Sequence, residues 1–159
     1  MKEAQILITG ASGCVGQYTC NWLLENTNSN LLLLLRDPKK LSSIDKEHPR
    51  VKLLIGDLRT PEKFSADLIQ TTHVIHTATA WGDINRTNQV NIIAVKKLLA
   101  HLNPAILQKF IYFSTASILS KNLEVIPEAI DYGTEYIQSK AKCLIELQKH
   151  PLSKKIIAV

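Results

Sequence analysis

Short, unbroken apolar runs recur along this chain: Gln5 to Thr9, Leu31 to Leu35, Val51 to Ile55, His73 to Thr77, Phe110 to Ser114 and Ile156 to Val159. All but the last are followed by a longer stretch of mixed polarity. A strand with one face in water alternates apolar and polar residues, whereas a continuous apolar strand is buried on both faces, as in a parallel sheet covered by helices. The intervening segments are long enough for helices, and 14–26, 86–102 and 135–149 repeat apolar residues at three- and four-residue spacing. This alternation predicts a doubly wound α/β domain. All six prolines fall between the proposed elements or at their starts, and no repeat or linker marks a domain boundary.

The 159 residues are enough to bury one core without disulfides or metals. The run Leu31 to Leu35 is too short to span a bilayer, and Met1 to Ala4 lead straight into a strand without a charged leader. The expectation is one cytoplasmic domain, with no membrane contact. Cys14, Cys20 and Cys143 have neither Cys-x-x-Cys spacing nor a nearby His cluster, so reduced thiols are expected and no metal site. The formal charge of +5 comes from scattered Lys and Arg pairs without an aromatic-rich motif, which argues against nucleic acid as a partner. The sixth apolar run stops where a further loop should leave it, so part of a larger fold is expected to be missing.

The first run enters Thr9-Gly10-Ala11-Ser12-Gly13-Cys14-Val15-Gly16, a T-G-x-x-G-x-x-G turn opening a predicted helix. Gly10 permits the tight turn, Gly13 lets backbone approach a pyrophosphate, and Gly16 lets helix and strand pack closely. The free N–H groups and dipole of that helix favour the phosphate charge. After the second run the chain reads Arg36-Asp37-Pro38-Lys39-Lys40. Arg36, aided by Lys40, suits the 2′-phosphate of NADP(H), while Asp37 would serve the ribose of NAD(H) if the register shifted by one residue. Asp57, in Gly56-Asp57-Leu58 after the third run, is placed to accept from an adenine amino group.

Tyr136-Ile137-Gln138-Ser139-Lys140 puts a phenol and an ammonium on one helical face. A tyrosine titrates near pH ~10, and an adjacent positive charge lowers it by ~1–3 units, into the range of useful acid–base catalysis. Thr115, in Tyr112-Phe113-Ser114-Thr115-Ala116 at the end of the fifth run, offers a hydroxyl for the substrate oxygen, with turn capping as its alternative. Asn88 offers a polar relay or a helix cap.

Together these segments resemble the extended short-chain dehydrogenases/reductases, which include nucleotide-sugar epimerases, dehydratases and dihydroflavonol-type reductases. The likeness rests on Thr9 to Gly16, Gly56 to Leu58, His76-Thr77-Ala78, Val90-Asn91, Ser114-Thr115 and Tyr136 to Lys140, in the family's order along essentially the whole chain. It implies a Rossmann-type sheet of strand order 3-2-1-4-5-6. It further implies that Thr9, Gly10, Ser12, Gly13, Cys14, Val15, Gly16, Leu58, Thr77, Ala78 and Thr79 border the cofactor. Tyr136 is then the acid/base, Lys140 lowers its pKa and holds the nicotinamide ribose, Thr115 is the catalytic hydroxyl, and Asn88 completes a proton relay. Arg36-Asp37-Pro38 is similar to the NADP-using reductases, which act on a carbonyl or secondary alcohol. An epimerase acting on a nucleotide sugar with retained NAD stays open, as does a cofactor-binding module without turnover. Dehydration is disfavoured, because Ala116-Ser117 replace the dehydratases' Asp-Glu pair, and Ser120 stands where a glycine is usual. Members run to about twice this length, the further half supplying the substrate lobe, and many dimerise through helices matching 86–102 and 135–149.

Overall fold

The computed structural model describes residues 3–159; Met1 and Lys2, read above as the lead into the first strand, lie outside them. In chain order the elements are β1 (Gln5–Thr9), α1 (Cys14–Asn26), β2 (Asn30–Leu35), β3 (Val51–Ile55), α2 (Ser65–Leu68), β4 (His73–His76), α3 (Ile84–Asn88), α4 (Ala94–Ala100), β5 (Lys109–Tyr112), α5 (Pro127–Asp131), α6 (Glu135–Lys149) and β6 (Ile156–Ala158). The six strands are parallel and lie in the order β3-β2-β1-β4-β5-β6, the expected Rossmann-type arrangement.

Strand residues of opposite parity feed two separate cores, which is why the strands read as continuous apolar runs. Leu7, Leu32, Leu34, Val74, Phe110 and Tyr112 face Val95, Leu98 and Leu99 of α4 and Cys143 and Leu147 of α6. On the other side Ile6, Ile8, Leu31, Leu33, Leu35 and Ile75 pack on Cys20 and Leu23 of α1. Burial pushes the thiols up, to about 12 for Cys20 and about 11 for Cys143. Exposed Cys14 and these two are all free.

Two segments differ from the pattern reading. Residues 36–50 form no α-helix, only a short 3-10 turn at Pro38–Lys40, and Leu41 and Ile44 alone plug the α1-side core there. The helix expected over 86–102 begins at Ile84, where Asp83 accepts from the Arg86 N–H at 3.0 Å, and its middle, Gln89–Ile93, is a π-helical turn. Such wide turns are rare and gather at functional sites. Among the described residues no helix is long and apolar enough to cross a membrane, and no cluster of His, Cys, Asp and Glu is placed to hold a metal.

His76 ends β4 fully buried, its ring stacked with Phe110 (5.9 Å) and Tyr112 (5.8 Å) and its Nδ1 2.8 Å from Thr9 Oγ1. Burial, helped by the charge of Lys140, pushes the imidazole down to about 3, so it stays neutral in the folded chain. The unfolded chain takes up that proton below about pH 6.5, so this contribution to stability is whole above that pH and is lost as pH falls towards 3. Denaturant titrations from pH 7 to pH 5 should show stability falling, by His76 at most about 1.4 kcal/mol per pH unit. His76→Gln should flatten that slope; an unchanged slope would show that His76 is not held neutral.

Candidate functional site

The carboxyl edge of the sheet carries a trough made of two joined clefts, of about 500 Å³ and 230 Å³, that share Gly10, Gly13, Thr77 and Thr79. Its floor is the turn between β1 and α1. Gly10 adopts φ +71°, and a Cβ there would stand 2.7 Å from the Ala78 nitrogen. A Cβ on Gly16 would stand 2.3 Å from the Gly10 carbonyl oxygen, so α1 approaches the turn as closely as backbone allows. Gly13 is the N-cap residue and brings no side chain to cap α1, whose first turn holds no acidic group. The leading N–H groups of α1 are therefore open to an anion in the trough.

Arg36, Asp57, Leu58, Arg59 and Arg86 border the larger cleft. Arg59 grips Asp57 through Nε and Nη2 at 2.9 and 2.8 Å, and this pairing holds the carboxyl below its ordinary value. A carboxylate has about four lone-pair sites, so Asp57 retains room for another donor. Asp37 is occupied in capping, accepting from the Lys39 N–H at 2.9 Å, and borders neither cleft. Lys40 is exposed on the same turn and also borders neither.

Tyr136, Lys140, Phe113 and Ser114 border the smaller cleft together with Cys14, Val15 and Gly16. Lys140 is buried, donates from Nζ to the Phe113 carbonyl at 2.7 Å and lies 4.6 Å from the Tyr112 ring centroid, against 5.9 Å from that of Tyr136. Burial pushes its ammonium down to about 8. One face of the Tyr136 ring is covered by Trp81, with centroids 3.7 Å apart.

The profile of the NAD dependent epimerase/dehydratase family matches residues 6–149. The chain belongs to that family. It is 24% identical over 148 residues to the 2-alkyl-3-oxoalkanoate reductase of Stenotrophomonas maltophilia (strain K279a), covering 86% of this chain and 43% of that protein. Among solved structures it resembles UDP-glucuronic acid 4-epimerase from Bacillus cereus in complex with UDP-glucuronic acid and NAD, with TM-score 0.79 and 24% identity over 97% of this chain and 55% of that one. It also resembles dTDP-glucose 4,6-dehydratase from Bacillus anthracis str. Ames in complex with NAD, with TM-score 0.75 and 17% identity over 98% of this chain and 53% of that one. The chain thus spans about half the length of the relatives it matches.

In this epimerase/dehydratase-family chain the glycine turn, Arg36, Asp57, Leu58, Thr77, Ala78, Thr79, Tyr136 and Lys140 line one trough, while other residues stand elsewhere. The Tyr136 phenol is not lowered in this structure: burial holds it above its ordinary value, and the Lys140 ammonium is turned to the Phe113 carbonyl and the Tyr112 ring. Thr115 borders neither cleft, and its Oγ1 caps a 3-10 turn by accepting from the Ser117 N–H at 3.4 Å. Of the two hydroxyls in Ser114-Thr115, the one that borders the smaller cleft is Ser114, whose buried Oγ has no partner. Asn88 borders neither cleft, and its Oδ1 is buried without a hydrogen bond.

The polar link falls instead on Asn91, quoted above only as a motif residue, in the middle of the π turn. Its Oδ1 accepts from the Ala80 N–H (2.7 Å) and the Thr79 hydroxyl (3.3 Å), while Nδ2 donates to the Ala80 carbonyl (3.0 Å) and Ser139 Oγ (2.9 Å). Ser139 in turn donates to the Tyr136 carbonyl at 2.7 Å. One buried amide thereby ties the loop after β4 to the helix carrying Tyr136 and Lys140. Its depth and its four contacts are tertiary facts that spacing alone does not disclose. Asn91→Ala strands these buried groups, each costing about 1–3 kcal/mol when unpaired. Urea unfolding should therefore show a loss of about 2–4 kcal/mol; a loss under about 0.5 kcal/mol would remove Asn91 from this role.

Proposed function

We propose that this chain is the cofactor-binding half of an NADP(H)-dependent oxidoreductase acting on a carbonyl or secondary-alcohol substrate. The observation that carries the reading is the continuity of the trough, from an uncapped helix N-terminus to Tyr136 and Lys140. The residues suit a dinucleotide: the open N–H groups at Cys14, Val15 and Gly16 would take the diphosphate, Asp57 the adenine amino group, and Arg36 the 2′-phosphate. Lys140 would reach the nicotinamide ribose on giving up the Phe113 carbonyl. Buried Ser114 Oγ supplies a further polar contact beside it.

When bound, such a cofactor supplies or accepts a hydride; the remaining chemistry belongs to the side chains. Tyr136, kept protonated by burial, would donate its phenolic proton to the carbonyl oxygen during reduction and recover one during alcohol oxidation. Thr115 would join it at the substrate oxygen only after releasing the Ser117 N–H. In the oxidative direction the rate should climb with pH, since the phenolate is then the active form.

Cofactor choice separates this reading from a nucleotide-sugar epimerase retaining NAD, which the NAD named with the two neighbours above would favour. Asp37 is turned to capping, and Arg36 borders that end of the cleft while Asp57 matches the charge of Arg59, so Arg36 is the guanidinium that suits a 2′-phosphate. Calorimetric titration should show NADPH binding about 10- to 100-fold more tightly than NADH, the worth of one hydrogen-bonded charge pair. Arg36→Asp should reverse the order. Preference for NADH would move the reading to the epimerase branch, and no binding of either would remove the cofactor site.

A further inference from the structure

Three guanidinium groups border the larger cleft. Arg59 is bonded to Asp57, and Arg36, directly after β2, is read above as the partner of a 2′-phosphate. The third, Arg86, has no role in that reading. Its backbone N–H donates to the Asp83 side chain at 3.0 Å, but among the described residues its guanidinium has no hydrogen bond, ion pair or ring contact. Arg36 and Asp57 come from the strands on one side of β1, whereas Arg86 comes from the connection after β4, on the other side.

The two walls converge at the Asp57 end. From Ile84 to Ala100 α3, the π turn and α4 run on without a break, and Arg86 and Val90, one turn apart on this rod, both border the cleft. Further along the rod Lys97 donates from Nζ to the Arg59 carbonyl at 3.5 Å, which holds the rod alongside the loop that carries Asp57. Exposure rises from buried Leu58 through half-buried Val90 to exposed Arg86, so Arg86 stands at the mouth, about 6 Å along the rod from Val90. A flat base whose amino group meets Asp57 has apolar side chains at its inner side and Arg86 at its open one.

We propose that Arg86 is a clamp on the adenine: its unpaired guanidinium folds over the base that Asp57 holds by its edge and lies flat against the ring. This rests on the cofactor reading above. Arg86 grips NADPH and NADH alike, whereas Arg36 tells them apart. A guanidinium is planar and weakly hydrated, so it stacks on a π-face where an ammonium acts only as a point charge. Such a contact at a partly exposed site yields about fivefold in affinity.

The test is calorimetric titration of the full chain with NADPH, NADH and 5′-AMP. Arg86→Ala should weaken all three by about fivefold and leave the ratio of NADPH to NADH affinity unchanged. Arg86→Lys should recover less than about half of the loss, because it keeps the charge and loses the plane. Arg86 is exposed, and its backbone N–H persists in both variants, so the Asp83 cap is kept. By NMR the Arg86 Nε–H, assigned by its absence from Arg86→Lys, should move upfield in the ring current when 5′-AMP is added and stay in place when ribose 5-phosphate is added. A loss confined to NADPH would make Arg86 a second 2′-phosphate partner, and full rescue by lysine would make it a general charge. Either result overturns the clamp, as does undiminished binding by Arg86→Ala. Should the unsubstituted chain bind none of the three nucleotides, the cofactor site itself fails and the clamp with it.

Discussion

The seam between β1 and β4 governs the rest of this molecule. Thr77 donates to the Thr9 carbonyl through both its hydroxyl (2.8 Å) and its N–H (3.2 Å), while Thr9 Oγ1 meets His76 Nδ1 at 2.8 Å. These bonds hold the two central strands together just where their connections part to opposite faces of the sheet. A crevice opens at such a point in any doubly wound sheet, and ligands of these folds bind there. Gly10 and Gly16 are demanded by the same seam, since a side chain at either would push the turn off Ala78 or the helix off the turn. Neutral His76 beneath it follows too, because a charge there would lie within the core and near Lys140.

At the other end of the trough the balance is between burial and charge. Tyr136 and Lys140 share a helical face as the four-residue spacing requires, yet burial raises the phenol and lowers the ammonium, moving each towards its neutral form. Lys140 finds its partners in a carbonyl and an aromatic face rather than in the phenol. A negative ligand in the smaller cleft would offer the ammonium a stronger partner and raise its pKa again. The chemical pairing read from the sequence thus depends on what fills the trough, whereas the placement of the pair does not.

Features governed by local periodicity were legible in the sequence. The apolar runs became the six strands, the glycine turn opened α1 at Cys14, and Tyr136 and Lys140 came to one helix because both period and glycine geometry are short-range properties. Features decided by contacts between distant segments were not. Asn91 and Ser139 are 48 residues apart in the chain, and Trp81 meets Tyr136 only because the loop after β4 folds over α6. Residues 36–50 are long enough for a helix but have too few apolar residues in register to bury one. Arg59 was missed because its binding of Asp57 across two residues is a local contact that no motif flags. At Thr115 the family pattern suggests chemistry, while in this structure the side chain takes the alternative of capping a turn.

Whether the turn after β1 and the seam beside it form a dinucleotide site is read from backbone amide resonances as NADPH is added. The largest shifts should fall at Gly10 to Gly16 and Thr77 to Thr79, with the N–H groups of Cys14, Val15 and Gly16 moving as hydrogen bonds to phosphate form. Shifts confined to the basic turn at Lys39 and Lys40, with the glycine turn unmoved, would contradict it.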